Sequence, residues 1–181
     1  TLHFGKNKLT LLPNPLGLPF GSKLQNFFFG ENQISGGVAE GYFANVTDLR
    51  HIQLHRNKLS SWPNNTGLPS TSLLRYLYLY ENEFITLPNN TLAHFSKLDV
   101  FHVSKNKLTY FPCDFWQLPE NNVLRHVDLT HNLIENICEC FLANKSHLQI
   151  LYMHYNKITK LPNNTCLPET NVLKRLSLYY N

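Results

Sequence analysis

One asparagine recurs along the whole chain. It stands at Asn7, Asn32, Asn57, Asn82, Asn106, Asn132, Asn156 and Asn181, at spacings of 25, 25, 25, 24, 26, 24 and 25 residues. A period this steady over 181 residues is the signature of a solenoid, in which each unit contacts only its neighbours. Ahead of each asparagine lies the same short apolar run. "LQNFFFGENQI" (24–34), "LRHIQLHRNKL" (49–59), "LRYLYLYENEF" (74–84), "LDVFHVSKNKL" (98–108), "LRHVDLTHNLI" (124–134) and "LQILYMHYNKI" (148–158) share one frame. "LHFGKNKL" (2–9) and "LKRLSLYYN" (173–181) are the same frame cut at either end.

Within the frame, apolar residues alternate with others, the period of a strand with one buried face. No single unit can bury that face alone, so successive units are expected to stack their strands into a parallel sheet. The asparagines turn the chain off each strand. Their amides are expected to satisfy backbone groups of adjacent coils, as buried polar groups must. All ten prolines fall outside the frames, as a ladder that needs its N–H groups requires. Alternate coils carry a Leu-Pro pair at Leu18-Pro19, Leu68-Pro69, Leu118-Pro119 and Leu167-Pro168. The others carry return segments such as "FANVTDL" (43–49) and "FLANKSHL" (141–148), which predict a short helical turn, whereas extended or turn-like backbone is expected on the Leu-Pro coils.

The frame resembles the leucine-rich-repeat family, in the longer "typical" extracellular form of Toll-like receptors, variable lymphocyte receptors and small proteoglycans. The resemblance runs end to end. It implies a single α/β domain over 1–181 of about seven to eight coils, with a concave parallel sheet of about eight strands and a convex side of loops, polyproline-like segments and short helices. It also implies a recognition role. Neither end carries a polar cap, which fits either a piece of a longer protein or a protomer that stacks end to end into a filament or matrix.

The side chains that would point onto the concave face are unusual for a wet strand surface. Seven of nine histidines and seven of nine tyrosines fall there. Phe28, His51, His55, Tyr76, Tyr78, Tyr80, His102, His126, Asp128, Tyr152, His154 and Tyr179 form the candidate ligand-binding set. Tyrosine offers large contact area at low entropy cost, with a hydroxyl for hydrogen bonding. Strand propensity explains the tyrosines but not the histidines. A protein or carbohydrate ligand is the expected partner.

His102, His126 and Asp128 could approach one another, but their spacing is loose for a metal site, and a solvated His–Asp pair is the simpler reading. No nucleophile with an orienting group stands out, and no catalytic residue, metal or cofactor is expected. Arg50, Arg75, Arg125, Lys174, Arg56 and Lys105 flank the aromatics, yet Glu31, Glu81, Asp99 and Asp128 interrupt them, so nucleic acid is not expected. The net charge of +4 is too small to argue otherwise. No apolar run is long enough to span a membrane.

Five N-x-[ST] sequons, at Asn45, Asn64, Asn89, Asn144 and Asn163, all lie in connecting segments and point to an extracellular protein with N-linked glycans. Four cysteines, Cys113, Cys138, Cys140 and Cys166, lie at nearly the same height in successive coils. Adjacent coils bring residues within disulfide reach, so the offsets predict Cys113–Cys138 and Cys140–Cys166. The pairing Cys113–Cys140 with Cys138–Cys166 fits the offsets less well.

Overall fold

The computed structural model describes residues 1–14, 16–89, 91–110 and 118–181. Ten strands occur among them: β1 (Leu2–His3), β2 (Asn26–Phe28), β3 (Ser35–Gly37), β4 (His51–Gln53), β5 (Lys58–Ser61), β6 (Tyr76–Tyr78), β7 (Val100–His102), β8 (His126–Asp128), β9 (Ile150–Tyr152) and β10 (Arg175–Ser177). Eight of them form one parallel sheet in the order β1-β2-β4-β6-β7-β8-β9-β10. Register is constant, so equivalent residues of successive repeats sit side by side: Phe27, Ile52, Leu77, Phe101, Val127 and Leu151 form one buried row. That row and its companion Leu54, Leu79, Val103, Leu129 and Met153 are fully excluded from water. At about 25 cal/mol per Å2 of apolar area, these rows are the main driving force for stacking.

The ladder asparagines bind the coils together. Asn57 donates from Nδ2 to the carbonyls of Leu54 in its own coil and Phe29 in the preceding one, both at 3.0 Å, and its Oδ1 accepts the Ile34 N–H at 3.0 Å. Asn82, Asn106, Asn132 and Asn156 repeat the pattern. Each carbonyl therefore takes the amides of two successive asparagines, and the bonds run as an unbroken zipper through the solenoid. The residue before each asparagine lies in the left-handed region: Lys6, Glu31, Arg56, Glu81, Lys105, His131, Tyr155 and Tyr180 have φ between 51° and 59°. None is glycine, so each carries a conformational cost of about 1–2 kcal/mol that the zipper offsets.

On the return side the structure departs from the sequence expectation. Among the described residues there is no helix. The segments 43–49 and 141–148 are strings of single turns, with bonds such as Ala44 N–H to Gly41 O at 2.9 Å and Ala143 N–H to Cys140 O at 2.9 Å. Left-handed residues break any longer run: Gly41 at φ 67°, and Cys140 and Asn144 both at 57°. A second, unanticipated sheet pairs β3 with β5 in parallel. Among the described residues no helix long and apolar enough to cross a membrane occurs.

Candidate ligand-binding face

The concave sheet carries three columns of outward side chains, which the register aligns strand by strand. The central column is His3, Phe28, Gln53, Tyr78, His102, Asp128, Tyr152 and Ser177. Parallel strands stand about 4.8 Å apart, close to the spacing of stacked rings, so in-register aromatics are driven face to face. His51 stacks on Tyr76 with centroids 4.6 Å apart and planes 3° off parallel. His55 stacks on Tyr80 at 4.6 Å, and Tyr80 on His102 at 4.4 Å. A second group lies towards β10: His126 meets the edge of Tyr152 at 5.6 Å, and His154 stacks on Tyr179 at 4.3 Å. The structure thus places all twelve candidate residues on this one face.

These rings are partly buried and electrically quiet. Burial pushes the imidazoles of His51, His55, His126 and His154 below the usual histidine value; at His51 the Arg50 and Arg75 guanidinium groups add to the effect. Burial likewise pushes the phenols of Tyr78 and Tyr80 upward. At neutral pH they are uncharged. His51 Nδ1, His55 Nδ1, His126 Nε2 and His154 Nδ1 are buried without a hydrogen-bond partner among the described residues. The face therefore offers flat apolar surface, with these nitrogens beneath it.

His102 is different. Its Nε2 lies 3.1 Å from Asp128 Oδ2 and 2.7 Å from Ser104 Oγ. Burial works to raise the Asp128 carboxyl, but the His102 bond and the Thr130 N–H, at 2.9 Å, hold it below the usual carboxylate range. A serine nucleophile needs its base to meet the serine through one ring nitrogen and the acid through the other. Here both partners meet the same nitrogen, a geometry that fixes the ring and activates nothing. Among the described residues no three His, Cys, Asp or Glu side chains gather as metal ligands would.

The left-handed residues form a rim along the face, and the first five of its eight are an ion-pair ladder that sequence reasoning missed. Lys6, Glu31, Arg56, Glu81 and Lys105 alternate in sign, with contacts of 3.9, 3.4, 3.1 and 3.1 Å in turn. The signal was in the sequence as opposite charges at the repeat interval. The rim then turns aromatic: His131 stacks on Tyr155 at 4.3 Å and Tyr155 on Tyr180 at 4.8 Å. On the opposite edge Arg125 forks onto Asp99, with Nε 2.7 Å from Oδ1. Of the six flanking cations, Arg56, Lys105 and Arg125 are therefore paired with neighbouring carboxylates.

All five sequon asparagines, Asn45, Asn64, Asn89, Asn144 and Asn163, are exposed and lie off the concave face. Two are held alike. Glu40 accepts the N–H groups of Asn64 and Asn65, both at 2.8 Å, and Glu139 accepts those of Asn163 and Asn164, at 3.0 and 2.9 Å. These bonds hold both carboxyls below their usual range. Cys140 and Cys166 are joined by a disulfide. Cys113 lies outside the described residues, and with it the expected Cys113–Cys138 link.

No protein-family model matches this chain, and no curated protein matches it. Solved structures do. A leucine-rich-repeat protein of Leptospira interrogans superimposes with a TM-score of 0.71 at 23% identity, over 89% of this chain and 38% of that one. A TDR receptor aligns at 0.56 and 25% identity over 73% of this chain and 22% of its own. TLR13, in its complex with ssRNA13, aligns at 0.57 and 20% identity over 75% and 22%. The chain spans well under half the length of each of these proteins. Together with the zipper of asparagines and the parallel sheet, they show that this chain has the leucine-rich-repeat fold.

Proposed function

We propose that this chain is a recognition module of an extracellular, N-glycosylated protein, and that it holds a protein or glycan ligand against its concave Tyr/His face. The observation that carries the reading is the set of stacked, half-buried rings around Tyr76, Tyr78 and Tyr80, whose neighbouring imidazole nitrogens have no partner among the described residues. Stacking fixes the rings in place, so little entropy remains to be lost on binding. The reading calls on no cofactor and no chemistry. It also disfavours nucleic acid, although TLR13 was solved with RNA, because the Glu31, Glu81 and Asp99 carboxylates already occupy Arg56, Lys105 and Arg125.

The test is a screen of the glycosylated protein against an oligosaccharide array and a display library of secreted-protein domains. For a ligand so found, Tyr78→Ala and Tyr152→Ala should each weaken affinity by about 30-fold, the effect of truncating a central anchor. Melting temperature should hold. A ligand indifferent to both changes but sensitive to Glu135→Ala, off the concave face, removes the concave face from the reading.

The extracellular assignment has its own test. Enzymatic glycan release in labelled water should convert Asn45, Asn64, Asn89, Asn144 and Asn163 to labelled aspartate, wholly or in part, in protein secreted by a eukaryotic host. Five unlabelled asparagines would sink it. The exposed positions of all five and the disulfide support the assignment.

A further inference from the structure

One end of the concave face is hollow. The third column of the sheet carries bulky or hydroxyl side chains through most of its length, but at its first two places it has Gly5 and Gly30. The absent Gly5 side chain, and the His55 ring laid flat over Gly30, leave a depression of about 390 Å3 beside β1, β2 and β4. That volume lies within the range of small-ligand sites, about 300–1,000 Å3. Both glycines are needed for shape and not for a turn. The Gly5 backbone has ordinary dihedral angles, and a Cβ there would meet only the Gly30 carbonyl at 3.2 Å and the His3 ring beyond. At Gly30 a Cβ would run into the His55 imidazole, which lies over it with Nδ1 at 2.7 Å from that point.

The walls are chosen from neutral hydrogen-bonding groups and one aromatic. Phe28 stands between the imidazole edges of His3 and His51, at 5.6 and 6.2 Å. Gln53 and His3 line the hollow and bring an amide and an imidazole to it. The His55 Nδ1 is buried and unpartnered. Among the described residues the charges that line it are Lys6 and Glu31, 3.9 Å apart, and Arg56 reaches the same carboxylate at 3.4 Å. A phosphate or sulfate would meet the Glu31 carboxylate at the rim, and the cations beside it are already paired with that carboxylate. A purely apolar ligand would bury the Gln53 amide unsatisfied, at a cost of a few kcal/mol. The remaining chemistry is that of a ring with an apolar face and hydroxyls around its edge.

We propose that this hollow binds a neutral saccharide unit, with Phe28 against the sugar face and Gln53 and His3 bonding its hydroxyls. This deepens the recognition reading given above by placing a carbohydrate at one end of the same face. The probes are maltose, cellobiose and N,N′-diacetylchitobiose, with a sulfated heparin disaccharide and N-acetyltyrosinamide as comparators, each observed by saturation-transfer NMR on the intact chain. At least one neutral disaccharide should bind. Gly5→Leu, which fills the hollow, and Gln53→Ala should each weaken it about tenfold or more, while Tyr152→Ala, at the far end of the face, should leave it unchanged. If Gly5→Leu does not fold, Gln53→Ala and the comparators decide. Saccharide binding that ignores Gly5→Leu and Gln53→Ala but is lost with Tyr78→Ala or Tyr152→Ala overturns the hollow while sparing the concave face. Binding of the tyrosinamide or the sulfated sugar alone, or of none of the probes, overturns the saccharide assignment.

Discussion

Asn82→Ala should lower folding stability by about 4–6 kcal/mol. The Asn82 Nδ2 bonds the carbonyls of Leu54 at 2.9 Å and Leu79 at 3.0 Å, and Oδ1 accepts the Leu59 N–H at 3.0 Å, all in the buried interior. Alanine removes these three bonds, of roughly 1 kcal/mol each, with a longer one to Tyr80 O at 3.4 Å, and it leaves a buried donor unmet, which costs about 1–3 kcal/mol more. It also opens a gap in a chain of bonds that polarise one another. Leu54 O and Leu79 O keep one partner each, from Asn57 and Asn106, so the damage centres on the Leu59 N–H. Asn7 is the control. It stands exposed at the end of the zipper and bonds only Phe4 O and Gly5 O in its own coil. Asn7→Ala should cost under about 1 kcal/mol. Denaturation midpoints measure the difference, and hydrogen exchange at the Leu59 amide should speed up in Asn82→Ala. Equal midpoints for the two variants would mean that the zipper follows from the stacking and does not help to hold it.

The legible parts of this molecule are those with a side chain at the repeat interval. The ladder asparagines and the buried rows announce themselves because a solenoid asks the same of each coil. The concave columns followed from the strand period alone, and so the twelve candidate residues fall on one face. Three things were harder to see. The left-handed turn before each asparagine has no glycine to mark it; Lys6, Glu31, Arg56 and the rest adopt it because the next residue is locked by the zipper. The return segments look like helix in composition, yet Gly41, Cys140 and Asn144 take left-handed dihedrals that composition does not reveal. The hollow is made of absences. Gly5 and Gly30 read as weak strand formers, and only the packing of His55 over Gly30 shows what the missing side chains provide.

The repeat also explains the disulfide and makes a graded prediction about it. Gly41 and Gly67 occupy, in two earlier coils, the places that Cys140 and Cys166 hold later. Both pairs are 26 residues apart. The surroundings match. Gly41 and Cys140 donate to the carbonyls of Asn65 and Asn164, each at 2.8 Å, and Gly67 and Cys166 donate to the side chains of Asn65 and Asn164, again at 2.8 Å. All four residues are left-handed, at φ 67°, 81°, 57° and 51°. A Cβ on Gly67 would crowd the Ala44 N and the Gly41 O at 2.7 and 2.8 Å. Gly67 lets the two coils touch by having no side chain, whereas Gly41 has open space where a Cβ would stand; the cysteine pair lets them touch by joining the side chains. The bond should contribute about 3 kcal/mol by closing a loop of this length. Replacing both cysteines by serine loses that and keeps two strained left-handed residues. Replacing both by glycine loses the bond but relieves each backbone by about 1 kcal/mol or more. The expected order of denaturation midpoints is native, then Cys140→Gly/Cys166→Gly, then Cys140→Ser/Cys166→Ser. Dithiothreitol should bring the native protein down without moving the double-glycine variant by a comparable amount. A double-serine variant as stable as the double-glycine one would show that the left-handed turns carry no strain, and one as stable as the native protein would show that the bond holds nothing the Glu139 clamp does not already hold.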